Sequence, residues 1–318
     1  MYGLWRRRDF LKLGTTGLIG AAGLSALATP QPLQAADDKP GGFRFVHLTD
    51  IHVQPELEAE RGFRQCIEAV NKLSPRPDFV ITGGDLIMDA LDVPYDRAEN
   101  LWKIYEGACR DFETPVYDVI GNHDILGWSS KGVIKPDHMD YGKQMFADRV
   151  GKGRTYRSFD HCGWHFILLD SVALDTDGDG YQGLIDDAQL DWLKQDLAAV
   201  GRQRPIIIVT HIPFFSTWLY MVKGPQYVPE RGALVTNAPA LRKLFIDYNV
   251  RMVLQGHLHV RERIDYAHTS FIISGAVCGR WWKGIIDGLH PEGFGVIDVT
   301  ATDAAWSYAT YGWKAVAG

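Results

Sequence analysis

The residues best suited to chemistry in this chain stand directly after short apolar runs. "FVHLTDIH" ends in Asp50 and His52, and "FVITGGD" in Asp85. "YDVIGNHD" ends in Asn122, His123 and Asp124, "IIIVTHIP" holds His211, and "MVLQGHLH" ends in His257 and His259. Carboxylates and imidazoles with one amide oxygen suit a borderline divalent metal such as Mn, Fe or Zn. Nine such side chains are at hand, and even seven as ligands are too many for one tetrahedral ion. They fit two ions sharing a bridging carboxylate, the arrangement used for in-line phosphoryl displacement. Taken singly, each ending has a plainer reading, a structural histidine or an Asx-type turn. The succession of five endings carries the inference.

Elements must bring these endings together. "FRFVHL", "DFVIT", "VYDVI", "HFILL", "PIIIVT" and "VRMVL" are short and rich in β-branched residues, as strands are. Between several of them lie amphipathic helical patterns. Leu241, Leu244, Phe245 and Tyr248 follow helical spacing behind a cap expected at Asn237. Leu190, Leu193 and Leu197 do the same in "DDAQLDWLKQDL". The late runs "RERIDY", "TSFIIS" and "FGVIDV" predict added antiparallel strands. The pattern predicts an α/β layered domain with mixed sheets. Ligands of open α/β sheets bind outside the carboxyl ends of the strands, so strands lying side by side would gather the polar endings on one rim. Gly83, Gly84, Gly121 and Gly256 are expected to make the sharp turns that aim them.

In order and type, "DIH", "GGD", "GNHD", "THIP" and "GHLH" resemble the calcineurin-like metallophosphoesterases. The resemblance covers nearly the whole chain after its N-terminal segment. "YRSFDHCGWHFILLDS" and "QLDWLKQDL" are similar to the members near cyclic-nucleotide phosphodiesterases and purple acid phosphatases. The resemblance implies a four-layer α/β/β/α sandwich with two mixed β-sheets. It implies that Asp50, His52 and His259 hold a first metal, that Asn122, His211 and His257 hold a second, and that Asp85 bridges them. Where purple acid phosphatases carry a tyrosine in a different first-metal set, this chain has His52, which argues against an iron–tyrosinate site. The implied activity is hydrolysis of phosphodiester or phosphomonoester bonds by a metal-activated hydroxide. His123 is not a ligand in that pattern and is assigned transition-state stabilisation or leaving-group protonation. Asp50, Asp89 and Asp124 are the candidates to orient it.

The rest of the chain bounds partners and location. Of 318 residues, 46% are hydrophobic, enough for a large core, and the net charge of -6 offers no basic field for a nucleic acid duplex. "RRRDFLKLGTTGLIGAAGLSALA" has the charged, apolar and small-residue regions of an export signal. "RRDFLK", Arg7–Lys12, resembles the twin-arginine motif and implies the twin-arginine export machinery as partner. The expected organisation is a signal at 1–36 and a phosphoesterase domain at 37–318, exported to the periplasm or beyond the cell. An ordinary signal or an uncleaved anchor is the alternative. Cys66, Cys109, Cys162 and Cys278 form no CxxC pair and indicate neither a zinc site nor a disulfide framework. Cys66 falls on the apolar face of "FRQCIEAV" and predicts core packing.

Three further patterns set expectations. "DTDGDGYQGLID" begins like a calcium loop, with Asp175, Asp177, Asp179 and Asp186 at ligand positions 1, 3, 5 and 12; a solvated acidic turn is its plainer reading. The irregular stretches around 125–140 and 214–237 are expected to be functional or mobile. In the second stretch and in "GRWWKG", Trp218, Tyr220, Arg280, Trp281 and Trp282 are candidates to bind a small phosphate ester through aromatic faces and a cation. Against the enzyme stands a non-catalytic metal- or phosphate-binding module on the same fold; the intact ligand set and His123 favour the enzyme.

Overall fold

The structure, a computed structural model, describes residues 42–129, 131, 133–177 and 179–316, so the expected signal at 1–36 lies outside the described residues. Among the described residues no helix is long and apolar enough to cross a membrane. In chain order the first strands and helices are β1 (Phe43–Leu48), α1 (Ala59–Asn71), β2 (Phe79–Thr82), α2 (Tyr95–Cys109), β3 (Val116–Tyr117) and α3 (Gln144–Arg149). There follow β4 (Arg157–His161), β5 (Trp164–Leu168), β6 (Val172–Leu174), β7 (Tyr181–Gly183), α4 (Asp187–Val200), β8 (Ile206–Val209), α5 (Trp218–Lys223) and α6 (Ala238–Phe245). The chain ends with β9 (Val250–Gln255), β10 (Arg261–Tyr266), β11 (Thr269–Ser274), β12 (Gly293–Val299) and β13 (Ala304–Thr310).

The strands form two mixed sheets. Sheet one runs β13-β12-β1-β2-β3 and sheet two runs β10-β11-β9-β8-β5-β4, with β6-β7 as a separate hairpin. The runs ending in candidate ligands, β1, β2 and β3 in one sheet and β8 and β9 in the other, are parallel to their neighbours within each set. Their carboxyl ends therefore share an edge. The expected antiparallel additions hold for β10 and β12, whereas β11 pairs parallel to β9.

Alternation along each strand separates two apolar layers. Phe43 and Phe45 of β1, Ile207 and Val209 of β8, and Phe166 and Leu168 of β5 meet between the sheets. Aromatic edges fill that layer: Phe45 and Phe79 of sheet one meet Phe166 of sheet two at 5.3 and 5.4 Å, near-perpendicular. The opposite faces, Val46 and Leu48 or Ile206 and Ile208, join the core that takes in Phe63 and Cys66 of α1, Trp102 of α2, Leu193 of α4 and Leu241 of α6. The layered α/β expectation and the buried Cys66 are thus observed.

Two local expectations change. β3 is only two residues long, and 118–121 continues without strand pairing. Asn237 precedes α6 but does not cap it with its side chain; it instead bonds both Ile185 N and O, at 3.2 and 2.8 Å. α4 has a side-chain cap, Asp186, which accepts from Gln189 N at 2.8 Å. Inside sheet two, His165 of β5 donates to Asp160 on β4 at 2.6 Å and to Asp196 on α4 at 2.8 Å. Burial pushes the His165 pKa down, but the two carboxylates more than offset it and leave it raised.

Candidate metal centre

The turns after the strands are held in conformations that ordinary residues avoid. Asp50, His52, Asp85, His257 and His259 have φ values of 55°, 45°, 53°, 72° and 58°. A left-handed conformation costs a non-glycine residue about 1–2 kcal/mol. Five such residues at one rim mark stored strain, which accumulates where a site requires it. The backbone between turns is cross-braced: Asp50 N donates to Gly84 O at 3.0 Å, and Ile51 N and His52 N both reach Asp85 O at 2.9 Å. The glycines act differently from expectation. Only Gly84 has positive φ; Gly121, at φ −110°, is required by space, because a Cβ there would overlap Asp85 N and Oδ1.

The seven candidate ligands converge. Asp50 Oδ1 lies 3.3 Å from His259 Nε2, and His52 Nε2 lies 3.1 Å from the same nitrogen. On the other side, His211 Nε2 lies 3.1 Å from Asn122 Oδ1 and His257 joins Asp85 and His211 with ligand atoms within 4.8 Å of one another. Asp85 stands between the two halves: its Oδ2 is 3.4 Å from His52 Nε2 and 3.1 Å from His211 Nε2. Asp50, His52, Asp85, Asn122, His211 and His259 are all nearly inaccessible to solvent.

The donor set fits cations on physical grounds. His211 and His259 each present Nδ1 to a carbonyl, Gly83 O at 2.8 Å and Gly279 O at 2.7 Å, which leaves Nε2 facing the carboxylates. Burial opposes charge on Asp85, yet His211 and His123 more than offset it and hold its pKa well below the usual range. Burial lowers His211, but Asp85 outweighs it and raises the imidazole to about 9. The buried carboxylates thus favour positive charge at this rim. His257, lowered to about 3 by burial and by His211, offers a neutral lone pair.

His123 lies beside this cluster and is partly open to solvent. Its ring meets that of His52 edge-on at 4.7 Å, its N–H donates to Asp85 Oδ1 at 2.9 Å, and its Nδ1 has no hydrogen-bond partner. Of the three carboxylates expected to orient it, Asp89 faces Nδ1, at 3.7 Å and beyond hydrogen-bond reach. Asp124 has a different task. It accepts from Leu86 N at 2.8 Å, Ile87 N at 3.2 Å and Gly121 N at 2.8 Å, tying the "GGD" turn to the "GNHD" turn. Burial, then Asp85, pushes its pKa up, while the backbone N–H groups favour the carboxylate.

The other candidates separate. Trp281 covers the first half of the cluster, its ring 4.6 Å from His259 and 6.2 Å from His52. Trp282 is a correction: it is fully buried, donates to His52 O at 2.9 Å and packs on Trp313, so it supports the turn and cannot meet substrate. Trp218 and Tyr220 lie on α5, which is tied through Trp218 N to Glu262 of the edge strand β10. Arg280 is exposed beside Trp281, its backbone N bonded to Gly284 O at 2.9 Å. Of the calcium-loop carboxylates, Asp175, Asp177 and Asp179 lie in the turn joining β6 and β7 and line one cavity, whereas Asp186 lies beyond the far end of that hairpin, capping α4. Asp175 is bonded to Arg231 at 3.0 Å.

Tyr181 was not singled out by sequence, and nothing in its spacing marks it. It meets His257 edge-on at 6.2 Å. With His123 it lines a cavity of about 630 Å³ whose wall carries six carboxylates, Asp89, Asp92, Asp175, Asp177, Asp179 and Glu230, together with Arg231. Acidic charge therefore surrounds the side of the centre on which His123 stands.

The chain is similar to several known proteins. The family model for calcineurin-like phosphoesterases matches residues 43–261. The serine/threonine-protein phosphatase CPPED1 of Bos taurus is 26% identical over 262 residues, 80% of this chain and 74% of that protein. The 3',5'-cyclic adenosine monophosphate phosphodiesterase CpdA of Haemophilus influenzae is 22% identical, covering 74% of this chain and 76% of that protein. In fold, the chain is similar to a dimetal phosphatase from Danio rerio, with a TM-score of 0.57 at 14% identity, over 84% of this chain and 99% of that one.

Proposed function

The chain belongs to the calcineurin-like phosphoesterases, a dinuclear metal-dependent family, and from that premise we propose that it hydrolyses a small phosphate ester at the rim described above. Asp85 carries this reading, because one carboxylate oxygen faces the two halves of the ligand set at once. Asp50, His52 and His259 would hold one cation and Asn122, His211 and His257 the other, with Asp85 between. Mn, Fe or Zn suits these donors. Bound there, two such cations supply charge neutralisation for the phosphoryl oxygens and a water acidic enough to attack near neutral pH.

The chain's own groups do the rest. The strained turns fix the ligands before substrate arrives, so little reorganisation remains at the moment of reaction. His123 borders both the ligand cluster and the acidic cavity, which fits it to protonate the departing oxygen. The leaving alcohol then lies in that cavity. Its carboxylates favour a neutral or cationic alcohol over an anionic one. Trp281 offers an aromatic face over the first half of the centre. CPPED1 and CpdA, named as a phosphatase and a phosphodiesterase, leave both ester classes open to this chain.

Turnover of bis-p-nitrophenyl phosphate and of p-nitrophenyl phosphate in manganese tests the reading. Hydrolysis of at least one, abolished in Asp85→Ala, is expected. A folded wild-type protein that binds phosphate without turnover would show the non-catalytic module instead. The export reading rests on "RRDFLK" and the following apolar run; fractionation of Arg7→Lys, Arg8→Lys cells should find the protein retained in the cytoplasm.

A further inference from the structure

A second group of metal-binding side chains lies at the other edge of the sheets. Asp78 immediately precedes β2, His161 ends β4, and Cys162 opens the two-residue turn into β5. Their ligand atoms, a carboxylate oxygen, an imidazole nitrogen and a thiol sulfur, lie within 4.8 Å of one another. His161 Nε2 donates to Asp78 Oδ2 at 2.8 Å. The imidazole is held in place by packing: it meets Phe43 edge-on at 4.7 Å and Phe79 at 5.0 Å. These strand ends are opposite the candidate catalytic rim. The four residues of β2, roughly 13 Å at the usual rise per residue, separate the two edges.

The hydrogen bond alone accounts for Asp78 and His161, but not for the cysteine. Cys162 has φ 46° and Gly163 φ 83°, a turn in which asparagine, aspartate or glycine is favoured. The thiol is only partly buried: it packs at the margin of the inter-sheet layer, with its sulfur within 4.8 Å of the Asp78 and His161 ligand atoms. One thiolate, one imidazole and one carboxylate with a water as fourth ligand make a tetrahedral set for a zinc-like cation.

We propose that Asp78, His161 and Cys162 form a third cation site, for Zn²⁺ or a similar borderline divalent ion, that clips the two sheets together at the edge remote from catalysis. Asp78 belongs to the approach to sheet one, and His161 and Cys162 to sheet two, so a cation there crosses the sandwich. Binding releases the Cys162 proton to solvent. Sequence spacing hides the site, because its donors are 83 and 84 positions apart across the two sheets.

The test uses the full chain carrying its catalytic metals, kept reduced and titrated with Co²⁺. The wild type should take up one further ion per chain with a thiolate-to-cobalt charge-transfer band. That band should disappear in Cys162→Ser, weaken with at least tenfold lower affinity in His161→Ala, and persist in Cys278→Ser, which removes the thiol near His259. Unchanged phosphodiester turnover in Cys162→Ser shows that the variant is folded. Cobalt should also raise the Tm of the wild type and not of Cys162→Ser. Uptake without a thiolate band, no uptake, or a band that survives Cys162→Ser overturns the proposal.

Discussion

At the residue scale, His123 and Asp124 are neighbours with separate tasks. His123→Ala should lower kcat by about a hundred- to ten-thousand-fold, the range of general acid catalysis, and leave metal content near two ions per chain. Kinetics with elemental analysis of the same sample checks both; loss of one ion would make His123 a ligand. Asp124→Ala should instead act on stability, costing about 1–3 kcal/mol because buried N–H groups of Leu86, Ile87 and Gly121 lose their acceptor. Denaturant unfolding measures it. The seven ligand positions were legible because each metal-binding type follows an apolar run. The work of Asp124 was not, because it answers backbone N–H groups 37 and 38 positions away. Trp282 and Trp281 are adjacent and alike in sequence. Only the turn decides that one ring enters the core while the other faces the ligands.

At the element scale, the strands and their turns form a frame with little room. Gly121→Ala should reduce bound metal below two ions, since the new methyl would overlap Asp85 N and Oδ1 and φ at that position strains no residue. Metal analysis of the purified variant reads this directly. A pH effect belongs to β4, β5 and α4. The folded pKa of His165 is raised above its unfolded value of about 6.5. Its contribution to stability is therefore full below that unfolded value and is lost as pH rises through the folded one. Tm measured against pH should fall across that window in the wild type, with a smaller fall in Asp196→Asn. The apolar strands and the helices α4 and α6 were legible from periodicity. The shortness of β3 was not: "VYDVI" is apolar enough for a longer strand, but it leaves the sheet to bring Asn122 and His123 to the rim. The calcium-like spacing of Asp175 to Asp186 is split by a hairpin, which leaves Asp186 to cap α4.

At the scale of the molecule, two sheets with parallel strand sets aim their carboxyl ends at one shared edge, and the acidic cavity opens beside it. Esters with a choline-like leaving alcohol should show a higher kcat/KM than otherwise similar esters with an anionic one. The difference should shrink with added salt, which screens surface charge. Equal values at low salt would remove the electrostatic argument for substrate choice. The layered fold was legible from alternating strand and helix patterns, whereas the acidic wall was not, because Asp89, Asp175 and Glu230 are far apart in sequence and meet only when β6-β7 folds against the rim. The central claim is a dinuclear hydrolytic centre bridged by Asp85. Its most direct test is phosphodiester turnover by chelator-stripped Cys162→Ser protein, followed during manganese titration. Activity should rise to a break at two ions per chain in that variant and be absent throughout in its Asp85→Asn derivative; a break at one ion, or turnover without bound metal, would contradict it.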